Sequence, residues 1–212
     1  MAESLDLMPV ENMGMYPRRM WMTHTQLHDL GFRSLGSNCW VDSRALVLEP
    51  GGISLGDNVR VDAFSTLSSQ GGTIELGHNV HVASGAVVYG AGGVTLASGC
   101  GLASGVKILS ASDDYVWGNL TNPTMPDELR GVIKAPVRMG EHVVVGANSV
   151  ILPGSTIGFG AAVGALTLVR GDVDDFQIVS GNPMRVLGRR NRKTLLARHQ
   201  EFLRHLADKR PE

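Results

Sequence analysis

Between Val137 and Asp174 an aliphatic residue recurs every six positions, at Val145, Ile151, Ile157, Val163 and Val169. A period of six matches neither an α-helix, near 3.6, nor a paired strand, near 2. Each six-residue unit therefore reads as one flat side of a coil with one large side chain pointing inward, and three sides close a turn. The fifth position of each unit is small or β-branched (Ser149, Ser155, Ala161, Thr167, Val173), which suits a second, tighter inward contact. Together these features predict an all-β solenoid, a parallel β-helix of hexapeptide repeats whose coils bury their aliphatic faces only against neighbouring coils.

The pattern extends toward the N-terminus with longer turns. Aliphatic-Gly or aliphatic-Ala pairs at Leu35-Gly36, Leu55-Gly56, Leu76-Gly77, Leu96-Ala97 and Met139-Gly140 precede the markers Val41, Val61, Val82, Leu102 and Val145 in constant step. Their spacings of 20, 21, 20 and 43 residues put two or three extra residues into each early turn and one large insertion into the last interval. The extras fall at Pro50-Gly51-Gly52, Gly71-Gly72 and Gly92-Gly93, corners where glycine permits positive φ. The solenoid is thus expected over residues 35–174, with an inserted loop at 112–136. A loop this long inside a compact repeat is usually functional, and Tyr115 with Trp117 is a poor choice for an idle solvent excursion.

Residues 1–34 lack the beat and are read as a cap segment, interrupted by Pro9, Gly14 and Pro17, with a short helix around Met20 to Leu30 closing the open coil end. Residues 175–212 are read as an extended return strand and then an amphipathic α-helix over 190–209, with leucines at 195, 196, 203 and 206. His24 and His28, four apart on the expected cap helix, are taken as cap residues, and no metal is expected. Cys39 and Cys100 fall at the inward position that Val59, Val80 and Val143 hold in other coils, so each reads as a small buried hydrophobe.

The formal net charge of −1 gives no electrostatic reason to propose a nucleic acid or an anionic membrane as partner. No apolar run approaches the roughly 18 residues that a membrane span requires, and no signal-peptide core is evident near the start. A cytoplasmic location is the resulting expectation.

The repeat, the insertion, the run Val163-Gly164-Ala165-Leu166-Thr167-Leu168-Val169-Arg170-Gly171 and the closing Gly181-Asn182-Pro183-Met184-Arg185-Val186 together resemble the hexapeptide-repeat acyltransferases. Within that superfamily the chain is most similar to the galactoside and maltose O-acetyltransferases and their relatives that acylate sugars of surface polysaccharides. The resemblance implies a left-handed coil, against the usual right-handed crossover preference, and a homotrimer with its active sites in grooves between subunits. It also implies acetyl-CoA, or another acyl-CoA, as co-substrate, with the acyl group passing to a hydroxyl or amino group of a sugar or nucleotide-linked sugar. By the same resemblance the pantetheine arm would lie against Gly146, Ala147, Gly164 and Ala165, and the phosphate end near Arg170 and Arg185. The family's usual Thr-Lys pair is Arg170-Gly171 here, and a second basic residue is displaced from Gly188 to Arg189.

The larger departure is catalytic. The family places a histidine near the start of the loop to take the acceptor's proton, whereas this chain has Asp113 there, followed by Asp114, and no histidine anywhere in the loop. An unperturbed carboxylate is a poorer base than imidazole by roughly 3.5 kcal/mol of proton affinity. Three readings follow from the residues. Asp113 and Asp114 could form a like-charge pair with one carboxyl raised toward neutrality; the base could be His81, or His78, from an earlier coil; or the acceptor could be an amine that needs only orientation. Tyr115, Trp117 and His78 are the candidates for acceptor contact. Two other functions compete: a non-catalytic repeat that binds a sugar or a protein, and a zinc hydratase resembling the γ-class carbonic anhydrases.

Overall fold

The structure is a computed structural model that describes residues 20–208. The first 19 residues of the expected cap, with Pro9, Gly14 and Pro17, lie outside the described residues, as do 209–212. The chain winds into a parallel β-solenoid of about seven turns with a C-terminal helix. Three sheets run along it. The first begins with Ser34–Leu35 and ends with Thr156–Ile157, the second begins with Trp40–Val41, and the third runs from Leu46–Leu48 to Leu168–Val169.

Register explains why the six-residue beat exists. Val41, Val61, Val82, Leu102, Val145, Val163 and Val179 stack directly over one another in the second sheet, and each is at most 3% exposed. Burying an aliphatic side chain of this size contributes about 1.5–3 kcal/mol, so a column of them aligns each turn on the last. The corner joining the first sheet to the second takes left-handed backbone at Asn38, Asn58, Asn79, Gly99, His142 and Gly160. Asparagine and glycine adopt that conformation more cheaply than other residues. Just inside this corner Cys100 is buried, its Sγ 3.1 Å from the Gly140 carbonyl oxygen. Burial pushes its thiol up to about 12 and raises that of Cys39 as well, so both are inert packing groups.

The solenoid continues beyond Asp174. Gln177–Ser180 adds a seventh parallel rung to the second sheet, and Arg185–Arg189 then pairs antiparallel with that rung instead of returning along the stack. The beat hid this because the last turn is short. Val163 follows Val145 by 18 residues, but Val179 follows Val163 by only 16.

At the N-terminal end α1 (His24–Asp29) is closed by a capping box between Thr23 and Gln26 and buries Leu27. At the other end α2 (Arg192–Asp208) packs on the first corner of its own chain. His199 Nδ1 lies 2.9 Å from His142 Nε2, Phe159 and Phe202 meet the His142 ring edge-on, and Arg190 donates to the carbonyls of His142 and Gly160. Burial, and next the facing His199, depress the His142 pKa below its ordinary 6.5. A depressed folded-state value means that stability is fully present above the unfolded value and is lost as pH falls through the folded one. The melting temperature should therefore drop as pH falls below about 6.5, and His142→Phe, which keeps the aromatic contacts, should flatten the dependence when Tm is measured on either side of that value.

Candidate active site

The insertion leaves the coil after Ser110 and returns at Val137. Its stem is a two-stranded antiparallel ladder, Ala111–Asp113 against Val132–Lys134. The root is fixed at the third corner, between the third sheet and the next turn of the first. There Ser110 Oγ donates to the Tyr89 carbonyl oxygen and accepts from the Gly92 N–H, while Ala135 N–H donates to the Ser110 carbonyl oxygen.

At the head of the stem Asp114 is only 5% exposed. Its carboxylate accepts from the backbone N–H groups of Trp117 and Val116, both at 2.7 Å, and from the N–H and side-chain amide of Asn119. Those bonds, the backbone ones from Trp117 and Val116 foremost, hold its carboxyl at about 2. This corrects the expectation of a like-charge pair with a raised member for Asp114, whose carboxylate is stabilised as the anion and is committed to shaping the loop. The turn it staples carries Tyr115 and Trp117 outward, 87% and 80% exposed. Asp113 is half-buried beside it, and its carboxylate has no hydrogen-bond or ion-pair partner among the described residues.

A different corner holds most of the remaining candidates. Asp42, Asp62, Ala83, Ala103, Gly146, Gly164 and Ser180 each follow the buried beat residue of the second sheet, and form one column at the second corner, between the second and third sheets. Gly146, Ala147, Gly164 and Ala165 make a ledge of small residues there. A Cβ on Gly146 would strike the Ala165 backbone nitrogen, and one on Gly164 would stand 2.6 Å from Ser180 Oγ. Stacking of successive turns thus requires these glycines whether or not a ligand approaches them. Arg185 pairs with Ser180 at the end of the same column. Arg170, by contrast, follows the third-sheet strand Leu168–Val169 and sits at the third corner, on the side where the loop is rooted. Neither arginine has an ion-pair partner among the described residues.

The outer face of the second sheet carries His81, whose Nε2 is 2.9 Å from Asp62 Oδ2. Burial raises the Asp62 carboxyl, but hydrogen bonds from His81 and Arg60 outweigh it and hold it at about 2. His78 lies apart from both groups. It sits at the first corner, where Nδ1 accepts from the Asp57 N–H at 3.0 Å.

One chain therefore places the candidates at two separate corners. The second corner bears His81 with Asp62, the ledge and Arg185; the third bears Asp113, the stapled loop and Arg170. Sequence reasoning missed the polar partners at the second corner, Asp42 with Arg44 and Arg60 with Asp62. For Arg60 and Asp62 the signal was present, since they are two residues apart at the end of one strand, where alternate side chains share a face. Among the described residues no three His, Cys, Asp or Glu side chains converge to hold a metal ion, and no helix is long and apolar enough to cross a membrane.

A repeat solenoid with an inserted loop and a small-residue ledge defines the hexapeptide class, and comparison with known proteins narrows it. The family model "hexapeptide repeat of succinyl-transferase" matches residues 34–67 and 136–165. A dTDP-4-amino-4,6-dideoxy-D-glucose acyltransferase of Escherichia coli is 32% identical over 175 residues, covering 82% of this chain and 91% of that protein. The crystal structure of AntD, an N-acyltransferase from Bacillus cereus in complex with dTDP and 3-hydroxybutyryl-CoA, superposes with a TM-score of 0.84 at 33% identity, covering 90% of this chain and all (100%) of AntD. Galactoside acetyltransferase in complex with coenzyme A shares the fold at 19% identity, with a TM-score of 0.53, covering 81% of this chain and 71% of that one. The chain belongs to the hexapeptide-repeat acyltransferase family.

Proposed function

We propose that this acyltransferase moves an acyl group from coenzyme A to the amino group of a dTDP-linked amino sugar, in a site completed by a second copy of the chain. The observation that carries the reading is the likeness, over 90% of this chain, to an N-acyltransferase whose structures hold dTDP with 3-hydroxybutyryl-CoA and, in a point variant, dTDP-4-amino-4,6-dideoxyglucose with coenzyme A. Asp113 also stands where the resemblance to the sugar O-acetyltransferases implies a histidine. The chemistry fits. A neutral amine attacks the thioester carbonyl through its own lone pair, the tetrahedral adduct expels the CoA sulfur, and the proton lost from nitrogen ends on the departing thiol. No imidazole is needed to create the nucleophile.

In this reading the thioester arm runs along the ledge of Gly146, Ala147, Gly164 and Ala165, with Arg185 and a neighbour's Arg170 meeting its phosphates. Asp113, the uncommitted carboxylate, orients the amine, and Tyr115 and Trp117 shield the reacting end from water. Because the ledge and the loop belong to different corners, closing a ring in which one chain's second corner faces the next chain's third would unite them. A homotrimer satisfies that condition, and a cytoplasmic location matches the supply of acyl-CoA.

The test is thiol release from acetyl-CoA by the full-length protein in the presence of dTDP-4-amino-4,6-dideoxyglucose. Turnover is expected with the amine, and a loss of at least about 10²-fold when a hydroxyl replaces it, the lower end of what a general base supplies. A second reading rests on the His81–Asp62 contact, which orients an imidazole as a hydroxyl acceptor's base would require. Comparable release with the hydroxyl sugar, abolished in His81→Ala, would establish that reading and overturn the first.

A further inference from the structure

Beyond the ledge, the second corner contains a cavity of about 170 Å³ on the first three turns, lined among others by Trp21, Asp42, Arg44, Arg60, Asp62 and Ser84. The hollow is open to solvent on one side, and its volume matches a single ring, whereas about 300 Å³ or more is usual for a whole ligand. Its charges cancel internally. Arg44 donates Nε and Nη2 to the two oxygens of Asp42, at 2.8 Å each, and Arg60 donates the same pair to Asp62, at 2.7 and 3.1 Å. Arginines engaged in this way are poor phosphate receptors, and the cavity favours a neutral polar group. The guanidinium of Arg60 lies over the Trp21 ring, 5.6 Å from its centroid, so a guanidinium–indole pair forms part of the cavity wall.

We infer that this cavity receives the pyrimidine base of the acceptor nucleotide, and that it selects an imide edge, as in thymine or uracil. The inference rests on the nucleotide-sugar reading above. An imide edge presents carbonyl, N–H and carbonyl in sequence, and its complement is donor, acceptor, donor. The Nη1 ends of Arg44 and Arg60 have no protein partner among the described residues and supply two donors, and a carboxylate oxygen of Asp42 or Asp62 with lone pairs to spare supplies the acceptor. A cytosine edge offers an amino group and a bare ring nitrogen instead, which would set an arginine donor against a donor.

Distance separates the base from the sugar as the occupant. Asp62 is on the second turn and Gly146 on the fifth, three rungs along the same column, or about 14 Å at about 4.8 Å per rung. A monosaccharide in the cavity would hold its amine that far from the ledge. A base held there leaves the interval to its deoxyribose and diphosphate, and delivers the sugar to the thioester.

Calorimetric titration of the full-length protein with dTDP, dCDP and CoA tests this. The wild type is expected to bind dTDP at least about tenfold more tightly than dCDP, since one mismatched polar contact is worth about that much. Arg60→Gln and Ser84→Leu should each weaken dTDP by about tenfold or more and leave CoA within about twofold. Ser84→Leu fills the cavity from an exposed corner position without touching the ion pairs, so it decides the matter if Arg60→Gln disturbs the fold. Undiminished dTDP binding in Ser84→Leu, or equal affinity for dTDP and dCDP, would overturn the inference while leaving the nucleotide-sugar reading intact. A wild-type protein that binds CoA but no dTDP would overturn both.

Discussion

Asp114→Ala is expected to lower kcat by about 10²-fold or more, the scale on which a small misplacement of a catalytic element is felt, while moving Tm by no more than a few degrees. The two effects separate because of where Asp114 sits. Its carboxylate ties down three backbone N–H groups and one side-chain amide within residues 116–119, so removing it releases the turn that carries Tyr115 and Trp117. The solenoid core does not depend on it. The loop stands outside the aliphatic columns, and its stem is anchored independently through Ser110 and Ala135. Steady-state kinetics and thermal melting on the same preparation would show the split, and an unaltered kcat would remove the loop from the catalytic machinery.

The pH dependence of this staple has a definite sign. Because the folded-state value is depressed to about 2, its support is fully present above the unfolded value of about 3.8 and is lost as pH falls through about 2. A decline in activity between about pH 7 and about pH 5 therefore belongs to another group. In the proposed function that group is the nucleophilic amine, whose protonation removes the attacking lone pair, and the His142 contribution to stability is separated from it by following Tm in the same range.

Much of the fold was legible because burial imposes a period. Val145, Ile151 and Ile157 recur every six residues for the same reason that their register partners stack, namely that each turn's only core is its neighbour. The beat failed where that constraint was met by a turn of different length, at Val179, and it carries no signal for antiparallel pieces such as the loop stem, whose pairing is decided by local geometry. The chemistry was less legible. Asp113 and Asp114 are indistinguishable as adjacent letters. Only the positions of the Val116, Trp117 and Asn119 N–H groups show that one is consumed as a staple and the other left available. The ledge glycines illustrate the opposite hazard, since residues selected for close packing between turns look the same in sequence as residues selected for close approach by a ligand.

The division of candidates between two corners has the sharpest consequence. Ala165→Trp should block the ledge at the second corner, and Asp114→Ala should disorganise the loop at the third, so each variant alone is expected to be nearly inactive. If every working site joins one chain's second corner to the next chain's third, random assembly of equal amounts of the two variants gives about one quarter of the sites two undamaged halves. The decisive measurement is acyl transfer by the co-assembled variants against each variant alone. Recovery of about a quarter of wild-type activity is the predicted result. Activity no higher than the average of the two separate variants, in assemblies shown to contain both chains, would contradict a site shared between copies.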